Sequence, residues 1–279
     1  MNTKEMLELL RDNINESTAS HWSDVNLVRR MNIAQRKIAL TVAMSPGQWL
    51  IVSTPVTPLS SVITLPDDCS KPIYLEETTS GQPLSWLHDV RHRRISRPAG
   101  TSLADGILEA YPLMSTIEVN RASYSTACTL WYQIRVPDLQ VGTAATGSGA
   151  AKLYFPDDLN TKRIDDYYNN VKVEITAGTL AGTIDTITDF AASTRIATIS
   201  GTVGTDSVFG TIPRLPEETH MLIVLEATVM ALMKPSSSID KDVLKFYVDE
   251  LARERVEIDG WLQSRIPDGD GTLIGDIYS

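Results

Sequence analysis

Cysteine, histidine and aromatic residues are all scarce in this chain, and each scarcity removes a class of explanation. Two cysteines, Cys69 and Cys128, stand far apart in no Cys-x-x-Cys arrangement, so two reduced thiols are expected rather than a metal framework or a disulfide scaffold. The four histidines, His21, His88, His92 and His220, show no His-Glu-x-x-His spacing and read as surface or capping residues. No Gly-x-Ser-x-Gly elbow supplies a strained serine nucleophile. Gly147-Ser-Gly-Ala-Ala-Lys152 lacks the Gly-Lys-Ser/Thr ending of a phosphate loop, and Asp268-Gly-Asp270-Gly lacks the closing glutamate of a calcium loop. The expectation is a protein without catalytic residues, cofactor or metal.

Positive charge is also in short supply. A formal net charge of −10 argues against a broad nucleic-acid-binding face, because neutralising phosphates needs clustered Lys and Arg. The one basic cluster, Arg91, Arg93 and Arg94 with Arg97, is a candidate contact patch for a phosphate backbone or an acidic protein, or else a solvated face. The carboxylate pairs Asp67-Asp68, Asp157-Asp158 and Asp165-Asp166 read as turn and cap residues, since a catalytic pair must face across a cleft. Met221–Met233, the apolar run broken only by Glu226 and Thr228, falls short of the roughly 20 residues a membrane span needs. The opening MNTKEMLELLRDN has no signal-peptide apolar region. A soluble product without a membrane partner is expected.

What the chain does have is helical periodicity at both ends and turn-rich β sequence between. Thr3 is the expected N-cap of a first helix, with Leu7, Leu10 and Ile14 on one face. Ser23 or Asp24 caps a second, whose stripe is Leu27, Val28, Met31, Ala34, Ile38 and Val42. Short strands follow at Trp49–Ser53, Val62–Leu65, Pro72–Glu76 and Thr129–Val136, and later at Val171–Ile175, Thr183–Thr188 and Arg195–Ser200. Asp240–Leu262 carries Leu244, Tyr247, Val248, Leu251, Ile258 and Leu262 at helical spacing. The resulting expectation is an α+β chain. Its helical core is built from the N- and C-terminal amphipathic helices, and a β-rich middle with an inserted small β module projects from that core. The divisions expected are helices 1–48, a β-rich region 49–139, a glycine-rich linker 140–151, the β module 152–215, helices 216–265 and an arm 266–279. The arm carries Ile266, Leu273, Ile274, Ile277 and Tyr278, and apolar tails of this kind dock in a groove or as an added strand.

Certain stretches resemble a known family. Trp22–Ala39 (WSDVNLVRRMNIAQRKIA), the LPDD turn at Leu65–Asp68 and the acidic-start helical pair from Glu217 are similar to head-to-tail adaptor (connector) proteins of tailed bacteriophages. Tyr167-Tyr-Asn-Asn170, the alternating VKVEIT strand, Thr176–Gly182, Ile187–Phe190 and Thr194–Thr198 resemble a small β module of phage neck and tail proteins. Asn170 stands where that resemblance calls for glycine, and Gly201-Thr-Val stands in place of an aromatic-proline segment. The resemblance implies a virion structural protein at the neck, assembled in the host cytoplasm. It implies a homo-oligomeric ring, commonly of twelve subunits, with the portal protein above and the tail or next neck protein below. It also implies a channel through which DNA passes without specific binding, and a portal-docking role for the arm. The alternatives are another neck or tail ring component, or a glycan-binding module. The glycan reading wants exposed aromatics on the β module, whereas Tyr167, Tyr168, Phe190 and Phe209 read as core.

Overall fold

In the computed structural model, residues 1–16, 21–87, 108–121, 123–144, 151–233 and 241–264 are described. The chain divides into two compact units, one of Met1–Trp49 with Val136–Ser279 and the other of Leu50–Arg135. The described residues are mostly β. They hold four α-helices against thirteen strands, and six of the strands close a barrel. This corrects the expected helical core with a projecting β-rich middle: the barrel has an aromatic core of its own, and the helices do not form the body from which the β structure hangs.

The barrel belongs to the first unit and runs in the order β10 (Lys172–Ala177), β11 (Ile184–Ala191), β12 (Ile196–Ile199), β9 (Lys152–Tyr154), β8 (Val141–Ala144) and β13 (Val208–Thr211), with β13 returning to β10. Every pairing is antiparallel. Alternation sends Val173 and Ile175 of β10 and Ala197 and Ile199 of β12 inward. In β11 a register shift between Ile187 and Asp189 resets the alternation, so both Ile187 and Phe190 are buried. Phe155 sits at the centre, its ring 4.5 Å from Tyr168, 5.0 Å from Phe209 and 5.3 Å from Phe190. Gly142, opposite Phe209 on β8, makes room for that ring: a Cβ there would lie 2.5 Å from it. The expected linker 140–151 therefore begins with a barrel strand. Gln140 ahead of it is buried and donates to Asp158 and Thr161. Closure accounts for that strand, since an open edge beside β13 would leave unpaired backbone. Asn170 has a φ of 64°, a left-handed conformation that asparagine tolerates better than most residues.

Four helices accompany the barrel in this unit: α1 (Thr3–Asn13), α2 (Asp24–Met44), α3 (His220–Leu232) and α4 (Lys241–Gln263). Asn2, not Thr3, caps α1, accepting from the backbone of Lys4 and Glu5. Thr3 is instead buried and donates to the Thr211 carbonyl, tying α1 to β13. Ser23 caps α2. A 3₁₀ turn at Glu217–Thr219 leads into α3, which touches each of the other helices. The two polar interruptions of α3 have specific partners. Thr228 accepts from Asn13 of α1, while Glu226 holds Lys37 of α2 at 2.7 Å and Arg255 of α4. The Trp49 and Trp261 rings stack at 4.3 Å near the end of α4.

The second unit contains two sheets. One is β1 (Ile51–Val56), β7 (Cys128–Ile134) and β3 (Cys69–Glu77), with β7 central. The other runs β2 (Val62–Thr64), β6 (Thr116–Val119), β5 (Glu109–Leu113) and β4 (Ser85–Trp86), where only the β4–β5 pairing is parallel. Cys128, Leu130, Tyr132 and Ile134 alternate into its core with Leu75, Ile63 and Ile117. No helix among the described residues is long and apolar enough to cross a membrane.

Candidate interaction surface

The predicted site residues divide by where they fall. The arm residues Ile266, Leu273, Ile274, Ile277 and Tyr278, and the basic residues Arg91, Arg93, Arg94 and Arg97, lie outside the described residues. His88, His92 and the Gly147–Ala150 and Asp268–Gly271 stretches lie outside them too.

The chemistry-bearing residues that are described serve local structure. Asp158 accepts from the backbone of Asn160 and Thr161, closing a turn after Pro156. Asp165 accepts from the Ala192 backbone and Asp166 from the Asn169 amide. Asp157 pairs with Arg163 and Arg195, and Asp68 accepts from the Tyr132 hydroxyl. His220, expected as a surface or capping residue, is buried, with Nε2 3.2 Å from the Leu215 carbonyl; burial lowers its pKa. Cys69 and Cys128 are free thiols on adjoining strands. Cys69 faces Ile134 at one end of the β3–β7 ladder and Cys128 faces Glu77 at the other, so they are not placed to pair. Burial pushes the Cys69 thiol up to about 11, which keeps it protonated and unreactive at neutral pH. Among the described residues no group of three metal-capable side chains comes together. A cleft of about 460 Å³ opens between the start of α1 and strands β10 and β13, lined in part by Glu5, Glu8 and Glu174. Those carboxylates are engaged: Glu5 accepts from the Asn2 backbone, Glu174 from the Asn2 amide, and Glu8 pairs with Lys4.

What distinguishes the surface is apolar. The stripe assigned to α2 from its spacing is buried: Leu27, Val28, Met31, Ala34, Ile38 and Val42 are each at most 8% exposed. Three apolar residues are left over on the other side. Ile33, Leu40 and Met44 follow one another at i, i+7 and i+11 and are 38%, 62% and 75% exposed. Around them stand Arg29, Arg36 and Lys37. Arg36 is held by both oxygens of buried Asp138, at 2.7 and 2.9 Å, which raises its pKa; Lys162 takes the same carboxylate at 2.9 Å. Arg36 and Lys37 are thus held by the buried acids Asp138 and Glu226 beside the apolar stripe.

Helix α4 is similar in design. Leu251, Ile258 and Leu262 are buried, whereas Phe246 and Val256 are 60% and 74% exposed. Gly260 lies one turn beyond Val256, and a Cβ built there meets nothing within 4 Å. Glycine inside a helix costs about 0.5–1 kcal/mol relative to alanine, and no described residue requires it at that position. The leftover residues were visible in the sequence as apolar positions off the assigned stripes. Periodicity picks the stronger face of a helix and is silent about the weaker one.

No protein-family model matches the chain, and no curated protein matches it.

Proposed function

We propose that the protein is a structural subunit of a tailed-bacteriophage virion, a head-to-tail adaptor. In this reading it forms a ring beneath the portal, joins the capsid vertex to the tail and contributes to the DNA channel. The observation that carries the reading is the likeness of Trp22–Ala39 to adaptor proteins, a segment that forms most of α2, the helix on which Ile33, Leu40 and Met44 are exposed. A monomer that exposes apolar faces on two of its helices has surface suited to neighbours, as a ring subunit requires. The chain's −10 charge is compatible with passing DNA without retaining it, because attraction to phosphate would slow transit. The arm 266–279 is proposed as the portal contact and the Arg91–Arg97 cluster as a patch for an acidic neighbour. The glycan-binding alternative gains nothing from the barrel, whose Tyr167, Tyr168, Phe190 and Phe209 are all buried.

The test is where the protein sits in the particle. Gold-labelled antibody fragments raised against the purified chain should decorate intact phage particles at the neck, between head and tail. Label on the tail tip or capsid faces, or no label on disrupted particles, would overturn the proposal.

A further inference from the structure

The ring reading does not say which surfaces meet, and the two exposed helix faces bear on that question. The helices that bear them differ in charge. α2 carries four basic residues, Arg29, Arg30, Arg36 and Lys37, against one acid, Asp24; Asp24 is paired with Arg11, Arg36 with Asp138 and Lys37 with Glu226, so the helix keeps a basic excess through Arg29 and Arg30. α4 carries six acids against four basic residues; Arg255 is committed to Glu226 of α3 and Arg253 is paired with Glu250 of the same helix, so the helix keeps an acidic excess. Like faces brought together would oppose like charges, basic on basic or acidic on acidic. Unlike faces bring apolar residues and opposite charges together at once.

We propose that the outward face of α2 in one copy of this chain packs against the outward face of α4 in the next copy. Ile33, Leu40 and Met44 meet Phe246 and Val256, and the bare backbone at Gly260 admits a side chain of the neighbour. The glycine is an independent pointer. No described residue packs against it, and small residues on a helix face permit close approach of another element. Because the two faces are different surfaces of one subunit, the contact is head-to-tail. It leaves each copy with one unused face of each kind, so it propagates until a ring closes. Arg36 and Lys37 are held by Asp138 and Glu226 rather than swinging freely, which limits the ordering cost of association. This inference rests on the proposed function, since it identifies the joint of the ring.

The experiment uses the full chain and two variants, Leu40→Glu and Phe246→Lys, each with circular dichroism to establish that it folds. Each variant places a repelling charge on one face and leaves the other intact. Native mass spectrometry across protein concentration, alone and with portal rings, reads the outcome. The wild type should assemble beyond dimers, and each variant alone should be monomeric. An equimolar mixture should assemble again, because the intact α4 face of one variant meets the intact α2 face of the other and the introduced carboxylate and ammonium attract each other at the remaining joint. Gly260→Ala should melt at a higher temperature than wild type and assemble more weakly. Variants that still form rings would overturn this contact while leaving the adaptor reading intact. Variants that each form a homodimer alone would show that each face meets its own kind, and a mixture that stays monomeric would show that the two faces do not meet; either result would overturn it likewise. A wild type that is monomeric both alone and with portal rings would overturn both readings.

Discussion

Replacing Glu226 with glutamine removes a charge that joins three helices, and the structure sets the size of the effect. The Glu226 side chain is only 9% exposed, with Lys37 Nζ at 2.7 Å on one oxygen and Arg255 on the other. Breaking a buried ion pair by removing one partner costs about 3–5 kcal/mol when the remaining charge is stranded. Here the remaining charges are not stranded, because the Lys37 and Arg255 side chains are 57% and 54% exposed and can turn to water. Solvent screening of half-exposed cations therefore brings the expected loss down to about 1–2 kcal/mol. For a unit of this size that corresponds to a fall in Tm of about 2–8 °C. Urea unfolding followed by far-ultraviolet circular dichroism measures it, with an unchanged denaturant slope showing that stability, not compactness, has changed. A double-mutant cycle with Lys37→Gln should return a coupling of about 0.5–1 kcal/mol that shrinks in high salt. A Glu226→Gln protein within about 0.3 kcal/mol of wild type would refute the reasoning, because it would mean the carboxylate is already solvated and the clamp contributes nothing.

Three further outcomes are expected. Phe155→Ala should cost about 3–5 kcal/mol in urea unfolding, since it empties the centre of the aromatic cluster, while Phe155→Leu should cost markedly less. Gly142→Ala should be as damaging as a core truncation, because its Cβ would meet the Phe209 ring and the Tyr154 carbonyl; Gly260→Ala, with open space around it, is the contrasting control. Stability should fall as pH drops through about 6.5, the ordinary value for histidine. His220 has a lowered pKa in the folded state, so between that value and 6.5 the unfolded chain binds the extra proton and acid favours unfolding. The contribution is present above about 6.5, is lost below it by at most about 1.4 kcal/mol per pH unit, and should be absent from His220→Asn.

Local signals were strong in this sequence, and global organisation was not. The stripe of α2, the end of that helix at Pro46-Gly47 and the helical spacing of α4 follow from apolar period and turn chemistry alone. Two readings went wrong for identifiable reasons. Gln140–Ala151 is rich in glycine and small residues, which is linker composition. Its Gly142, however, is small because Phe209 lies against it, a constraint from across the barrel. The N-cap was misplaced by one residue because Thr3 is a good cap type, yet Thr211 takes its hydroxyl. Strands β5, β6, β9 and β13 are three to five residues long, too short for alternation to stand out. With those strands unseen the chain read as more helical than it is. The α3 interruptions at Glu226 and Thr228 were visible from the start, but their meaning depended on knowing that Lys37, Arg255 and Asn13 come to meet them. The leftover faces of α2 and α4 were legible in the same sense, as apolar residues off the main stripe.

The central claim, that this chain is an adaptor bound to a portal, is tested most directly by co-sedimentation. The purified chain would be mixed with the portal ring of its own phage, beside a variant lacking Pro267–Ser279. The account predicts saturable binding in a fixed ratio by the full-length chain and loss of binding on deletion. Fixed-ratio binding that survives the deletion would remove the role given to the arm, and failure of the full-length chain to bind would contradict the adaptor reading itself.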